Sequence, residues 1–175
     1  MARQYAAVTA MGHDRVGAAD DLASWIAQSQ GNVEESKMAV LGGEFAVLML
    51  VSGEDSCIHT LIDGAAPLGD SLGLHIEVTE THAPHGNDQG RPYAVESFSL
   101  DSPGIVHSLT REIRGLGISI EELETSRTSA PMTGAPIFRM RALVILPATV
   151  SLADFRNSMD ELAHLKDLDI RIEPL

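Results

Sequence analysis

Cysteine is nearly absent. The 175 residues contain one, Cys57, which rules out an intramolecular disulfide and any fold that depends on one. Cys57 falls early in a predicted helix, and His59, two residues on, does not share its helical face, so the pair does not read as an activated nucleophile. Positive charge is also scarce, with 12 Lys and Arg against 25 Asp and Glu and a formal charge of -13. Residues 1–79 carry 3 basic and 11 acidic groups, and residues 93–175 carry 8 and 12. Neither half has the positive field that phosphate-backbone binding requires, and direct DNA binding is disfavoured. Arg111, Arg114 and Arg127 form the one local basic grouping, read here as solvated surface. No apolar run reaches eighteen residues and no secretory segment opens the chain, so a soluble cytoplasmic protein with no membrane association is expected.

What is present is a repeat. The segment from Tyr5 to Gly17 is echoed by Tyr93 to Gly104, with Asp14 matching Asp101 and Gly17 matching Gly104 at an offset of 87 residues. At the same offset Leu22 matches Leu109, Ile26 matches Ile113, and Val33-Glu34-Glu35 matches Ile120-Glu121-Glu122. Leu74-His-Ile-Glu-Val78 resembles Asp169-Ile-Arg-Ile-Glu173. A module of about 80 residues used twice is the organising hypothesis: residues 1–79, a linker over 80–92, and residues 93–175.

Each half reads as strand, helix, strand, strand, helix, strand. In the first, strands are expected over 4–11, 32–40, 44–52 and 74–79, with helices near 16–28 and 55–68. Ala19, Leu22, Ala23 and Ile26 supply the apolar stripe of the first helix. In the second, strands are expected over 94–100, 118–127, 137–145 and 168–173, with helices over 105–115 and 152–165. Ile105, Leu109 and Ile113 form one helical face, Phe155, Met159 and Leu162 another, and Ser151 with Asp154 is a candidate helix cap. Met38 and Met49 read as packing groups, and the paired acids Glu34-Glu35 and Glu121-Glu122 as solvent groups. The fold class is α+β: two ferredoxin-like βαββαβ modules, each an antiparallel sheet with two helices on one face, expected to pack side by side. The longer hairpin over 128–136 is expected to place a flexible arm near one site only.

Chemistry is expected at the two turns between first strand and first helix. Glycine lets a ligand or a backbone approach closely, and the N–H groups opening a helix can receive a carboxylate. Asp14 and Asp101 are expected to cap their helices, to contact a ligand, or both. Asn32 and Ser119 are expected at the same end of the sheet as these turns. Gly12-His-Asp-Arg-Val-Gly17 lacks the three-glycine spacing of a dinucleotide turn and no P-loop lysine follows, so a phosphate cofactor is not supported.

Val8-Thr-Ala-Met-Gly-His-Asp-Arg-Val-Gly17, Gly31 to Val40, Gly43-Glu-Phe45 and Asp101-Ser-Pro-Gly-Ile-Val106 together resemble the tandem ACT-domain proteins of the glycine cleavage system transcriptional repressor family, over nearly the whole chain. The resemblance implies amino-acid sensing at module interfaces and control of gene expression through a protein partner. It implies Asp14, Arg15, Gly17 and Asn32 as ligand residues in one module, and Asp101, Ser102, Gly104 and Ser119 in the other. The implied effector is glycine or another small amino acid, with no cofactor, and a homo-oligomer is expected. Val16 where the second turn has Pro103, and Ser119 in place of asparagine, imply that the two sites differ.

Two other readings stand beside this one. A small-molecule enzyme would use His13 and Asp14, but no complementary nucleophile or pocket is visible in the sequence. A ligand-independent protein-interaction module would need neither. His82, His85 and Asp88 read as linker rather than metal ligands, because short spacing in a Gly- and Pro-rich stretch imposes no coordination geometry.

Overall fold

The computed structural model describes residues 3–83, 90–129 and 134–175. The chain separates into two units, 1–85 and 86–175. The first contains β1 (Gln4–His13), α1 (Ala18–Gln28), β2 (Asn32–Leu41), β3 (Glu44–Gly53), α2 (Asp55–Leu72) and β4 (Leu74–Thr81). The second contains β5 (Arg91–Leu100), α3 (Ile105–Gly115), β6 (Ser119–Ser129), β7 (Pro136–Leu146), α4 (Leu152–Lys166) and β8 (Asp169–Pro174). Each unit is a four-stranded antiparallel-paired sheet, of order β2-β3-β1-β4 in one and β6-β7-β5-β8 in the other. The two βαββαβ modules of the sequence reading are therefore the observed fold.

Strand alternation sets the core. In β1, Ala6, Val8 and Ala10 point under the helices, joined by Phe45, Val47, Met49 and Val51 of β3 and by Leu74 and Ile76 of β4. Leu22 and Ile26 of α1 and Ile58, Leu61 and Ala65 of α2 close the first core. The second core repeats this with Val95, Met140, Ala142 and Val144 beneath Leu109, Ile113, Phe155 and Met159. The α3 and α4 stripes are those expected, and Ser151 Oγ accepts the Asp154 N–H at 3.0 Å while its hydroxyl donates to the Asp154 carboxylate at 2.7 Å.

Several expectations fail. The buried stripe of α1 is Ala18, Leu22 and Ile26; Ala19 and Ala23 are exposed, because a strict four-residue step fits the sheet better than the wider stripe. Met49 is core, but Met38 lies on an edge strand and is 57% exposed. The helix α2 continues through Pro67 to Leu72. The tyrosine echo slips by one residue: Asp14 N–H donates to Gly43 O and Asp101 N–H to Pro136 O, both at 2.9 Å, so Tyr93 corresponds to Ala6. Tyr93 is accordingly buried while Tyr5 is not.

Both edge strands β2 and β6 contain a register shift at matching places, Val33/Glu35 and Ile120/Glu122. The extra residue of such a bulge leaves the ladder. Glu34 is not simply a solvent group: its Oε1 accepts from Ser52 Oγ at 2.5 Å and from Asn32 Nδ2 at 3.0 Å. These hydrogen bonds stabilise its charged form and hold its carboxyl below the ordinary value of 4.5.

Candidate functional site

The two turns are built alike. Gly17 and Gly104 are the residues that precede the first turns of α1 and α3, each with φ of 92°. That left-handed conformation disfavours any residue with a Cβ. Neither helix has a side-chain cap, which corrects the expectation that Asp14 and Asp101 serve as caps. Each Asp stands three residues before its glycine, so its backbone is tied to the neighbouring hairpin before the helix begins. Neither helix start therefore receives a side-chain oxygen from its own N-cap residue.

The two turns differ in charge. In the first, the Arg15 guanidinium pairs with Asp21 at 2.5 Å and reaches Val16 O at 3.4 Å, while the Asp14 carboxylate forms no hydrogen bond or ion pair with a described residue. His13 leans the other way, its Nδ1 3.3 Å from Glu44 Oε1 on an exposed surface, so His13 and Asp14 do not form a pair. In the second, Ser102 stands where Arg15 does and Asp101 pairs with Arg127 at 3.0 Å. The basic grouping therefore divides, with Arg127 at this turn and Arg111 and Arg114 beside His107 along an open groove of about 800 Å³ on α3.

Asn32 and Ser119 lie at the wrong end for their own turns. Asn32 is opposite Ser52, which is opposite Tyr5, whereas Asp14 follows the last residue of β1. Ser119 is likewise opposite Ile145, itself opposite Pro92. The separation is the length of a strand, roughly 30 Å at about 3.4 Å per residue. A ligand held by Asp14, Arg15 and Gly17 cannot also touch the same module's Asn32. The same limit separates Asp101, Ser102 and Gly104 from Ser119. Asn32 and Ser119 instead donate to their local bulge glutamates, Glu34 at 3.0 Å and Glu121 at 3.5 Å.

Cys57 is buried, and loss of hydration raises its thiol pKa. Among the described residues no three His, Cys, Asp or Glu side chains are grouped to hold a metal ion; His85 and Asp88 lie outside the described residues, as does the centre of the 128–136 hairpin, residues 130–133. No described helix is long and apolar enough to cross a membrane.

Residues 4–79 match the ACT domain family. The chain is similar to the glycine cleavage system transcriptional repressor of Escherichia coli (strain K12), with 28% identity over 161 residues, 91% of this chain and 84% of that protein. A crystal structure of a protein of unknown function from Galdieria sulphuraria aligns over 99% of both chains with 29% identity and a TM-score of 0.82. A structure described as a candidate glycine cleavage system transcriptional repressor aligns over 100% of this chain and 99% of its own, with 22% identity and a TM-score of 0.76, a likeness of fold. The chain is thus a tandem of ACT-like modules related to the glycine cleavage system transcriptional repressors.

Proposed function

We propose that the chain is a noncatalytic, amino-acid-responsive regulator that modulates transcription of glycine cleavage genes through a protein partner. The observation that carries the reading is the pair of uncapped helix starts at Gly17 and Gly104, each beside an aspartate, in a chain similar over 91% of its length to a transcriptional repressor. An α-amino acid presents complementary charges: its carboxylate suits the first-turn N–H groups and its ammonium suits Asp14 or Asp101. One exposed helix start contributes only about 0.3–1 kcal/mol to an anion, whereas a millimolar dissociation constant needs about 4 kcal/mol. Both charges must therefore be engaged, and affinity is expected in the millimolar range or weaker unless a second surface closes over the ligand. The two turns differ as sites: in the first, Asp14 is not paired with an arginine and is free for an ammonium, but Arg15 is paired with Asp21 and α1 carries Asp20 and Asp21 in its first turn, whereas α3 has no acidic residue in its first turn.

The test is a titration of the isotopically labelled chain with glycine, serine and alanine, following the Gly17 and Gly104 amide resonances. Saturable shifts at Gly17, lost in D14N, are expected. Capture of a transcription regulator from the native cell should then change with the same amino acid. Absence of any shift at either glycine up to tens of millimolar would remove amino-acid sensing at these turns. Ligand-independent capture would leave the interaction-module reading in its place.

A further inference from the structure

The helix α3 carries a cationic stripe that its counterpart α1 lacks. His107, Arg111 and Arg114 recur at steps of four and three, so they share one face of the helix, and all three are exposed. Between that face and the start of β6 runs the groove of about 800 Å³, floored by Thr110, Ile118 and Ile120. Ile118 is buried and Ile120 packs against the second core, while the Thr110 hydroxyl donates back to Val106 O at 2.9 Å. Arg3, Arg15, Arg127, Arg139, Arg141 and Arg171 each pair with a carboxylate of their own module. Arg111 and Arg114, like Arg91 and Arg156, form no ion pair with a described residue, and these two line one groove. Glu112, the one acidic residue of α3, turns instead to Ser158 of α4. At the offset of 87 residues the same face of α1 holds Asp20, Ser24 and Ala27, with no cation. The fold therefore does not require the stripe.

We infer that this groove receives an acidic segment of a protein partner, with carboxylates on Arg111 and Arg114 and an apolar side chain over Ile118 and Ile120. Only one element of the proposed function is needed, that the chain acts through a protein partner. Side chains at i and i+3 stand about 5–6 Å apart at their Cβ atoms, and His107 extends the stripe to about 10 Å along the helix axis. Carboxylates on alternate residues of an extended segment repeat at about 7 Å, close enough for each to meet one guanidinium fork. The residue between them points the other way along such a segment, or into the groove floor where the segment turns. An open groove with exposed cations is a poor site for a small ligand, which is usually enclosed over most of its surface. Nucleic acid fits less well again. Two or three cations displace few counterions, and a formal charge of -13 repels a phosphate backbone at long range. A short segment with two or three carboxylates matches the local charge without that penalty.

Fluorescence anisotropy tests this, with a labelled synthetic peptide, a short run of Glu with one central Leu, titrated against the full chain in the absence of glycine. Saturable binding by about 1 mM at low salt is expected, weakening as salt rises. R111Q and R114Q should each weaken it about 1.5-fold to fivefold, and R111E/R114E should abolish it with an unchanged circular dichroism spectrum. The Thr110, Gly115, Ile118 and Ile120 amide resonances should shift with the peptide and stay unmoved when Gln replaces its Glu. No binding by about 1 mM, equal binding by wild type and R111Q/R114Q, shifts only outside the groove, or equal competition by inorganic phosphate or a single-stranded oligonucleotide would each overturn the inference. The outcome is separable from amino-acid sensing. Peptide binding in the groove without any glycine response at Gly17 would keep the groove and remove the sensing, and a glycine response with no peptide binding would do the reverse.

Discussion

Ser97 gives a prediction with its own control inside the chain. It lies on β5, fully buried under the helices of the second module, and its hydroxyl has no partner among the described residues. At the same place in the first module stands Ala10, 2% exposed, four residues before Asp14 as Ser97 is four residues before Asp101. A buried hydroxyl without a partner costs about 1–3 kcal/mol, and removing one oxygen leaves too small a void to offset that. Ser97→Ala should therefore raise the stability of the second module by about 1 kcal/mol, a midpoint increase of about 4–8 °C for a domain of this size. Ala10→Ser should lower the first module by about 1–3 kcal/mol. The chain has one tryptophan, Trp25 on α1 of the first module, so its fluorescence follows that module alone while far-ultraviolet circular dichroism follows both. The expected result in urea unfolding is a Ser97→Ala shift seen by circular dichroism with the Trp25 transition unmoved, and an Ala10→Ser shift in the Trp25 transition. A Ser97→Ala variant destabilised by about 0.5 kcal/mol or more would mean that a bound water satisfies the hydroxyl and would refute the reasoning.

Replacing Gly17 or Gly104 with alanine at φ of 92° should cost about 1 kcal/mol each, read as a lower thermal midpoint of the affected module. Gly12→Ala should cost more, on the order of 3 kcal/mol, since its Cβ would stand 2.7 Å from the Gly73 carbonyl oxygen. Glu34, whose pKa is depressed by Ser52 and Asn32, stabilises the first module above the ordinary carboxylate value, and that contribution is lost as pH falls from 4.5 through its lower folded value; Glu34→Gln should flatten the pH dependence of the Trp25 transition in that range. Cys57, buried with a raised thiol pKa, should react with a thiol reagent in native buffer far more slowly than in urea; equal rates would contradict its placement.

The element order was legible because two copies of one pattern reinforce each other, and the α3 stripe of Ile105, Leu109 and Ile113 leaves no choice of face. Ala19 and Ala23 misled because alanine is small enough to be tolerated on either side of a helix. Met38 misled because hydrophobicity does not reveal whether a strand is central or at an edge. The glycine turns were visible, but the capping role given to Asp14 and Asp101 was wrong because three residues of turn separate them from the helix start. Asn32 and Ser119 could have been placed from connectivity alone: a strand followed by a returning helix brings the next strand back to its starting end. The bulge that engages Glu34 left a signal only in the matched Val33-Glu34-Glu35 and Ile120-Glu121-Glu122, where two acids in succession break a two-residue alternation.

The bulges bear on how either sheet could grow. β2 and β6 are edge strands of their own sheets, and a sheet edge is a template for an incoming strand. Any segment that docks there in regular register meets the extra residue near the start of the strand, and its pairing is interrupted unless it carries a matching insertion. On β2 the uninterrupted stretch is Glu35 to Leu41, seven residues, enough for a short reversible clasp and too few for a long ladder.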